Sequence, residues 1–274
     1  MKKLVLSFYL ALFSVVLFAQ EGTVKEVVSV KGFNSIDVSS AFEIEVIKSP
    51  KRFVEVEISE NLRKYLVAKE SGDTFELYLK DVPSKEMKND VVLKAVIKTP
   101  SLKDVELSGA VKAEFSGVFE ENEFEMDLSG ATHVSGMELK SVKGEVDCSG
   151  ASNIYDSRLD IDYLEMDCSG ASKLDLNVKF GTLNADFSGA SNALFKGSGE
   201  VLKVDVSGAG KVDMEEVEVG HVSLNCSGAS KLIVAPEKSI DIVVSGASRL
   251  RYKKKDGLNI ESMDISGAAN VKSF

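Results

Sequence analysis

Five aspartates, Asp127, Asp147, Asp167, Asp186 and Asp205, recur every 19 or 20 residues. Carboxylates gathered by such a repeat could hold a hard cation such as Ca²⁺, which prefers oxygen ligands. Stacked about 4.8 Å apart, they would also repel by roughly 0.9 kcal/mol per neighbouring pair even at the dielectric of water. A basic column six residues further on, Lys173, Lys211, Lys231 and Arg249, could balance that repulsion with help from nearby Ser hydroxyls. The five aspartates are therefore a candidate binding column, and neither a metal nor another cofactor is expected. Cys148, Cys168 and Cys226 share the phase of the same repeat. In-register neighbours would hold their Cβ atoms about 4.8 Å apart, beyond the roughly 3.5 to 4.5 Å that a disulfide favours, so buried free thiols are expected. There is no Cys-x-x-Cys and there are only two histidines, His133 and His221, neither in a nucleophile motif. Gly197-Ser198-Gly199 precedes no helical pattern and reads as a turn, not a phosphate loop. No catalytic residue is assigned.

The element that must position these residues is Ser-Gly-Ala, which occurs nine times, starting at Ser108, Ser129, Ser149, Ser169, Ser188, Ser207, Ser227, Ser245 and Ser266. The residue before each Ser is apolar or Cys: Leu107, Leu128, Cys148, Cys168, Phe187, Val206, Cys226, Val244 and Ile265. Two positions before Ser the residue is usually Asp, and three before it the apolar set returns, from Val105 to Met263. That alternation of period two marks a strand with one face buried. Past the corner stands a basic or amide residue and then a new apolar column, Ala113 to Val271, where a second strand begins. Strand, small corner and strand every 20 residues or so predict a parallel β-solenoid with each repeat as one rung. Gly109, Gly130, Gly150, Gly170, Gly189, Gly208, Gly228, Gly246 and Gly267 would be its structural corner, since a residue without Cβ takes φ > 0 and lies close to its stacked neighbours.

In chain order, Lys2 and Lys3 precede an apolar run from Leu4 to Phe18, which reads as a secretory signal peptide spanning residues 1–19. At 15 residues the run is shorter than the about 20 needed to span a bilayer, so no membrane span is expected once the leader is removed. Residues 20–100 lack Ser-Gly-Ala but keep alternating in segments around Ile36, Ile44, Val56, Leu77 and Ala95, and are expected to form irregular first rungs and a cap. A short helix is predicted over Ser59 to Leu66 with Ser59 as its N-cap, and an exposed loop over Asp81 to Asp90. Residues 101–274 are the regular rungs, and 20–274 read as one continuous domain.

The run Phe33-Asn34-Ser35-Ile36-Asp37-Val38-Ser39-Ser40-Ala41-Phe42-Glu43-Ile44-Glu45-Val46, followed by the Asp-x-Ser-Gly-Ala-Ser array, resembles the head GIN domain family of putative autotransporter adhesins. The resemblance covers Phe33 to the end of the chain. It implies a right-handed parallel β-helix and an envelope or surface role, and it brings no catalytic residues with it.

A net charge of −10 argues against nucleic acid, whose phosphates call for a basic stripe. Rungs that differ by only three residues in length leave no long loop to build an enzyme cleft. The reading is a non-catalytic, exported binding or scaffold protein of the periplasm, cell surface or extracellular space, adhesin-like, with an envelope or surface glycan or protein as partner. A β-helical carbohydrate-active enzyme and an envelope sensor are the alternatives. Because the array runs to the end of the chain, the last rung around Ile265 to Val271 is expected either to offer an open edge through which a homo-oligomer forms or to be shielded by the last residues.

Overall fold

The computed structural model describes residues 16–18, 22–87 and 91–274. The N-terminal part contains β1 (Val16–Phe18), β2 (Thr23–Val28), β3 (Ser35–Val38), β4 (Glu43–Lys48), β5 (Phe53–Ser59), β6 (Leu66–Ser71), β7 (Thr74–Leu79), β8 (Leu93–Thr99) and β9 (Asp104–Leu107). The array continues through β10 (Lys112–Ser116), β11 (Val118–Leu128), β12 (His133–Ser135), β13 (Glu138–Cys148), β14 (Asn153–Cys168), β15 (Lys173–Phe187) and β16 (Asn192–Val206). It closes with β17 (Lys211–Cys226), β18 (Lys231–Val244), β19 (Arg249–Tyr252), β20 (Asn259–Ile265) and β21 (Asn270–Ser273). From β9 onward all pairing is parallel, each rung lying on its predecessor, so the chain is a parallel β-solenoid. Of the expected leader, residues 1–15 and 19 lie outside the described residues, and 16–18 pair antiparallel with β2.

A rung has three straight sides. In the best-separated case residues 133–135 pair with 153–155, 138–141 with 158–161, and 143–148 with 163–168. The third side leads into Ser-Gly-Ala, and the corner returns the chain to the first side. Alternate residues point inward, and one continuous apolar core runs from Phe33 to Tyr252.

The corner is governed by a close approach. Gly170 has φ 78°, and a Cβ built on it would stand 2.4 Å from the carbonyl oxygen of Gly150. That same oxygen accepts the Ala171 N–H at 2.7 Å, so the rung spacing is fixed by a hydrogen bond occupying the space a side chain would need. The stack begins one rung earlier than the Ser-Gly-Ala count. Ser40, in Ser39-Ser40-Ala41, adopts φ 80°, and its carbonyl accepts Ala110 N–H at 2.7 Å. A Cβ is tolerated there because Ser40 is the first corner, with no earlier one on that side, and its hydroxyl accepts the N–H of Leu79.

Behind the glycine, the next residue but one turns its hydroxyl inward. Ser152, Ser172, Ser191 and Ser230 are buried and each donates to the carbonyl of the first Ser of its own corner, at 2.7–2.9 Å. Thr132 extends this internal ladder by a 3.0 Å bond to Ser152. A buried hydroxyl is stable only when bonded, and here the corner backbone supplies the acceptor.

The N-terminal end is closed. β5 pairs antiparallel with β8, β2 with β5, and β6 with β7, and Phe33, Phe42, Phe75 and Leu62 are fully buried beneath them. The predicted helix is a 3-10 turn, Glu60–Tyr65, and Ser59 does not cap it; its hydroxyl accepts the N–H of Val92 instead. No strand forms in the expected loop through residue 87, and residues 88–90 lie outside the described residues. Sequence alternation missed β2 and β6, whose residues are mostly half-buried on both faces. At the other end Ile265, expected to point inward like the rest of its column, is 49% exposed, since among the described residues β20 is covered on one edge only, by β18.

Replacing Gly170 with Val should lower Tm much more than replacing Gly257, measured by circular dichroism. Both carry positive φ, so both bear about 1–2 kcal/mol of torsional cost, but a Cβ at Gly257 meets no atom within 4 Å. Equal losses would mean that torsion alone, and not the carbonyl of the rung below, dictates glycine.

Candidate binding site

A hollow lies on the outer face of the first side, at its N-terminal end. There the order β2–β5–β8–β4–β10–β12–β14 joins antiparallel cap strands to the parallel stack. The resulting groove has a volume of about 450 Å³. Its lining is mainly the outward half of each alternation, Lys25, Glu55, Glu57, Lys94, Val96, Glu43, Glu45, Lys112, Glu114, His133, Ser135 and Tyr155, with Ile44, Ala95 and Ala113 at its floor. Two ion-paired groups flank it. Lys25 lies 3.5 and 3.4 Å from Glu55 and Glu57, which raise its pKa, and Lys112 lies 3.1 Å from Glu43. Glu45, Glu114 and Lys94 make no ion pair among the described residues. Tyr155, 40% exposed, supplies an aromatic surface at one end.

His133, which occupies the basic column of its rung, is half-buried and fixed in this groove. Its Nδ1 lies 3.2 Å from the Ala131 carbonyl and its Nε2 lies 3.2 Å from the Asn153 amide nitrogen. An amide N–H can only donate, so Nε2 accepts and the proton sits on Nδ1. Sequence alone could not assemble the groove, because its members span Lys25 to Tyr155 and meet only through the antiparallel cap.

The aspartate column stands on the third side. Asp127, Asp147, Asp167, Asp186 and Asp205 are consecutive partners in register. Glu125, Glu145 and Glu165 stack beside the first three, two residues earlier on the same strands, so the acidic stripe is two residues wide there. Asp147 and Asp186 are pushed above the ordinary carboxylate range, first by partial burial and then by neighbouring carboxylates. The expected balance by Lys173, Lys211, Lys231 and Arg249 is not made. Among the described residues no ion pair joins the two columns, because the corner places them on different sides; Lys211 pairs instead with Asp213. Nor do the corner hydroxyls reach the carboxylates: Ser149 and Ser169 donate to the carbonyls of Leu128 and Cys148. The second side differs. Its column Glu120, Lys140, Asp160, Lys179 alternates in sign and pairs at 3.1 Å (Glu120–Lys140) and 3.3 Å (Asp160–Lys179). Among the described residues no three His, Cys, Asp or Glu side chains converge as a metal site would require. Side chains on a flat side project in parallel, and parallel carboxylates do not surround an ion.

The three cysteines are free and buried. The Cys168 thiol is held far above its usual range by its hydrogen bond with Cys148 and by burial, and burial also raises that of Cys226. Such thiols are poor nucleophiles. His221 contacts Ser239 Oγ through Nδ1 at 2.9 Å, and its Nε2 lies 3.9 Å from Glu200. This order of Ser, His and Glu resembles a hydrolytic triad, yet Ser239 is only 6% exposed within a strand and Glu200 lies 2.7 Å from Lys238. A nucleophile has to meet a carbonyl carbon, and this hydroxyl has no open approach.

The raised carboxylates set a pH dependence. Asp147 binds its proton more tightly folded than unfolded, so its contribution favours the fold below the unfolded value, about 3.9, and is lost as pH rises through the higher folded one. Asp147→Asn should therefore raise Tm at about pH 7 and leave it nearly unchanged at about pH 3, where the wild-type group is protonated. Millimolar Ca²⁺ should not shift the wild-type Tm. A Ca²⁺-dependent rise lost in Asp147→Asn would identify the column as an ion site.

No curated protein matches the chain. The crystal structure of a putative adhesin from Parabacteroides merdae superposes with a TM-score of 0.64 at 16% identity, covering 93% of this chain and 97% of that one. A putative adhesin from Parabacteroides distasonis gives 0.65 at 15% identity over 92% and 97%. A protein from the same organism described as a putative lipid binding protein gives 0.63 at 19% identity over 93% and 97%. At these identities the likeness is one of fold. The family described as "Putative auto-transporter adhesin, head GIN domain" matches residues 32–158 and 145–255, the cap and nearly all the rungs, and the chain belongs to that family.

Proposed function

We propose that the protein is a non-catalytic, adhesin-like binding module of the cell envelope or surface, and that the groove around Tyr155 binds an envelope or surface glycan. The observation that carries this reading is the composition of the groove. Glu45, Glu114 and Lys94 leave hydrogen-bonding capacity for sugar hydroxyls, and the exposed ring of Tyr155 offers an apolar face for a pyranose. A protein partner would be expected to insert apolar anchors, and this lining is mostly charged. Hydrolysis of a glycan needs one carboxyl kept protonated near neutral pH, which burial among apolar groups provides. Here Glu43, Glu55 and Glu57 are ion-paired with Lys112 and Lys25, and Glu45 and Glu114 are exposed, so no carboxyl of the groove is buried among apolar groups. Export is supported by the basic and apolar leader and by the family, and among the described residues no helix is long and apolar enough to cross a membrane.

The test is binding to an array of bacterial surface and host glycans, with the products checked by chromatography. Tyr155→Ala should weaken the best ligand at least tenfold without lowering Tm, and no shortened glycan should appear. Depolymerisation would establish the enzyme reading, and a ligand indifferent to both Tyr155→Ala and Glu45→Gln would remove the groove as its site.

A further inference from the structure

The two ends of the solenoid are built differently. The N-terminal end is closed by antiparallel strands and a 3-10 turn over fully buried Phe33, Phe75 and Leu62. At the C-terminal end every residue of β20 is exposed, and β20 and β21 pair on one edge only, with β18 and β19. Ile260, Met263, Ile265 and Phe274 are 42%, 39%, 49% and 41% exposed there, four of the ten large apolar side chains exposed in the described structure.

Charge separates the ends as well. Residues 249–274 carry six Lys or Arg and three Asp or Glu, a formal +3 on a chain of −10. Lys253, Lys254 and Lys272 are exposed and make no ion pair among the described residues. Arg251 lies 4.4 Å over the ring of Phe274 and holds that ring at the tip. Exposed apolar side chains on β20 and at Phe274, with unpaired lysines beside them on β21 and just past β19 that outweigh Glu261 and Asp264 of β20, fit the headgroup layer of an anionic bilayer, where side chains such as Ile and Phe enter the interface and ammonium groups meet phosphates. The unpaired strand N–H groups can donate to the same phosphates. They could not be satisfied in the hydrocarbon, so contact would stop at the surface. A second copy docked tip to tip would bring two basic ends together, against their charge.

We propose that the C-terminal tip is a docking surface for anionic phospholipid membranes. It lies at the opposite end of the array from the groove and does not depend on the glycan reading.

The test uses the exported protein, with its leader removed, in co-sedimentation with vesicles of phosphatidylglycerol and phosphatidylcholine or of phosphatidylcholine alone. Binding should require the anionic lipid and weaken as salt rises. The triple variant Lys253→Glu, Lys254→Glu, Lys272→Glu should lose at least tenfold in affinity, and Ile265→Ser several-fold. Tyr155→Ala should bind the vesicles as wild type does. Should either tip variant fold poorly, lipid and salt dependence of the wild type decide the matter alone. Absence of binding, equal binding to both vesicle types, or insensitivity of the folded lysine variant would overturn the proposal. So would lipid-free self-association in sedimentation velocity that the same substitutions abolish, which would make the occupant a second copy.

Discussion

The structure depends on one contact repeated along the stack: the carbonyl oxygen of each corner accepts the N–H of the Ala in the next rung at 2.7–2.8 Å. For that bond to form, the space a Cβ would occupy must be empty, so glycine is required wherever a corner lies beneath. Ser40 marks the limit of the requirement. As the first corner it has no earlier corner of the array beneath it, only the end of β7, and it keeps a side chain at the same positive φ. The constraint is therefore between neighbouring rungs, which is why a 20-residue unit with little core of its own becomes stable only in a stack.

Once the corner fixes the register, every other position is stacked on its own kind. Inward this is favourable, because apolar columns pack along one core and the buried hydroxyls find carbonyls at the corner. Outward the same stacking multiplies whatever charge a column carries. The second side alternates Glu, Lys, Asp and Lys and neutralises itself, whereas the third side repeats Asp, and its neighbouring carboxylates add to partial burial in raising the pKa of Asp147 and Asp186. Exposed pairs contribute little each, so the contrast bears more on surface potential than on stability.

The groove arises where stacking stops being uniform. A uniform rung offers flat sides with parallel side chains, poorly suited to surrounding a ligand. Antiparallel β5 and β2, laid beyond β8 to close the N-terminal end, bring Lys25, Glu55 and Glu57 alongside residues of the regular rungs. The cap that the solenoid needs to cover its edge thus also makes its concave surface. Among the described residues no strand pairs with the outer edges of β20 and β21, and their exposed side chains are apolar and basic.

The sequence by itself determined the solenoid, the phase of the inward columns, the corner glycines and the in-register stacking of the five aspartates. All follow from a repeat whose period is written in residue types, and period-two alternation has only one buried face. It also disclosed the burial of the three cysteines. Only the tertiary structure decided how outward residues meet: the corner separates the lysine column from the aspartates, Ser59 bonds Val92 and caps no helix, and Ile265 ends in solvent. It likewise recruited Ser40 to the corner stack, although Ser39-Ser40-Ala41 shares two of three residues with the repeat. The groove was illegible for a further reason. Its walls come from strands that pair antiparallel over separations of 26 residues and more, and which strand covers an open end is set by packing and edge hydrogen bonds, which leave no period in the sequence.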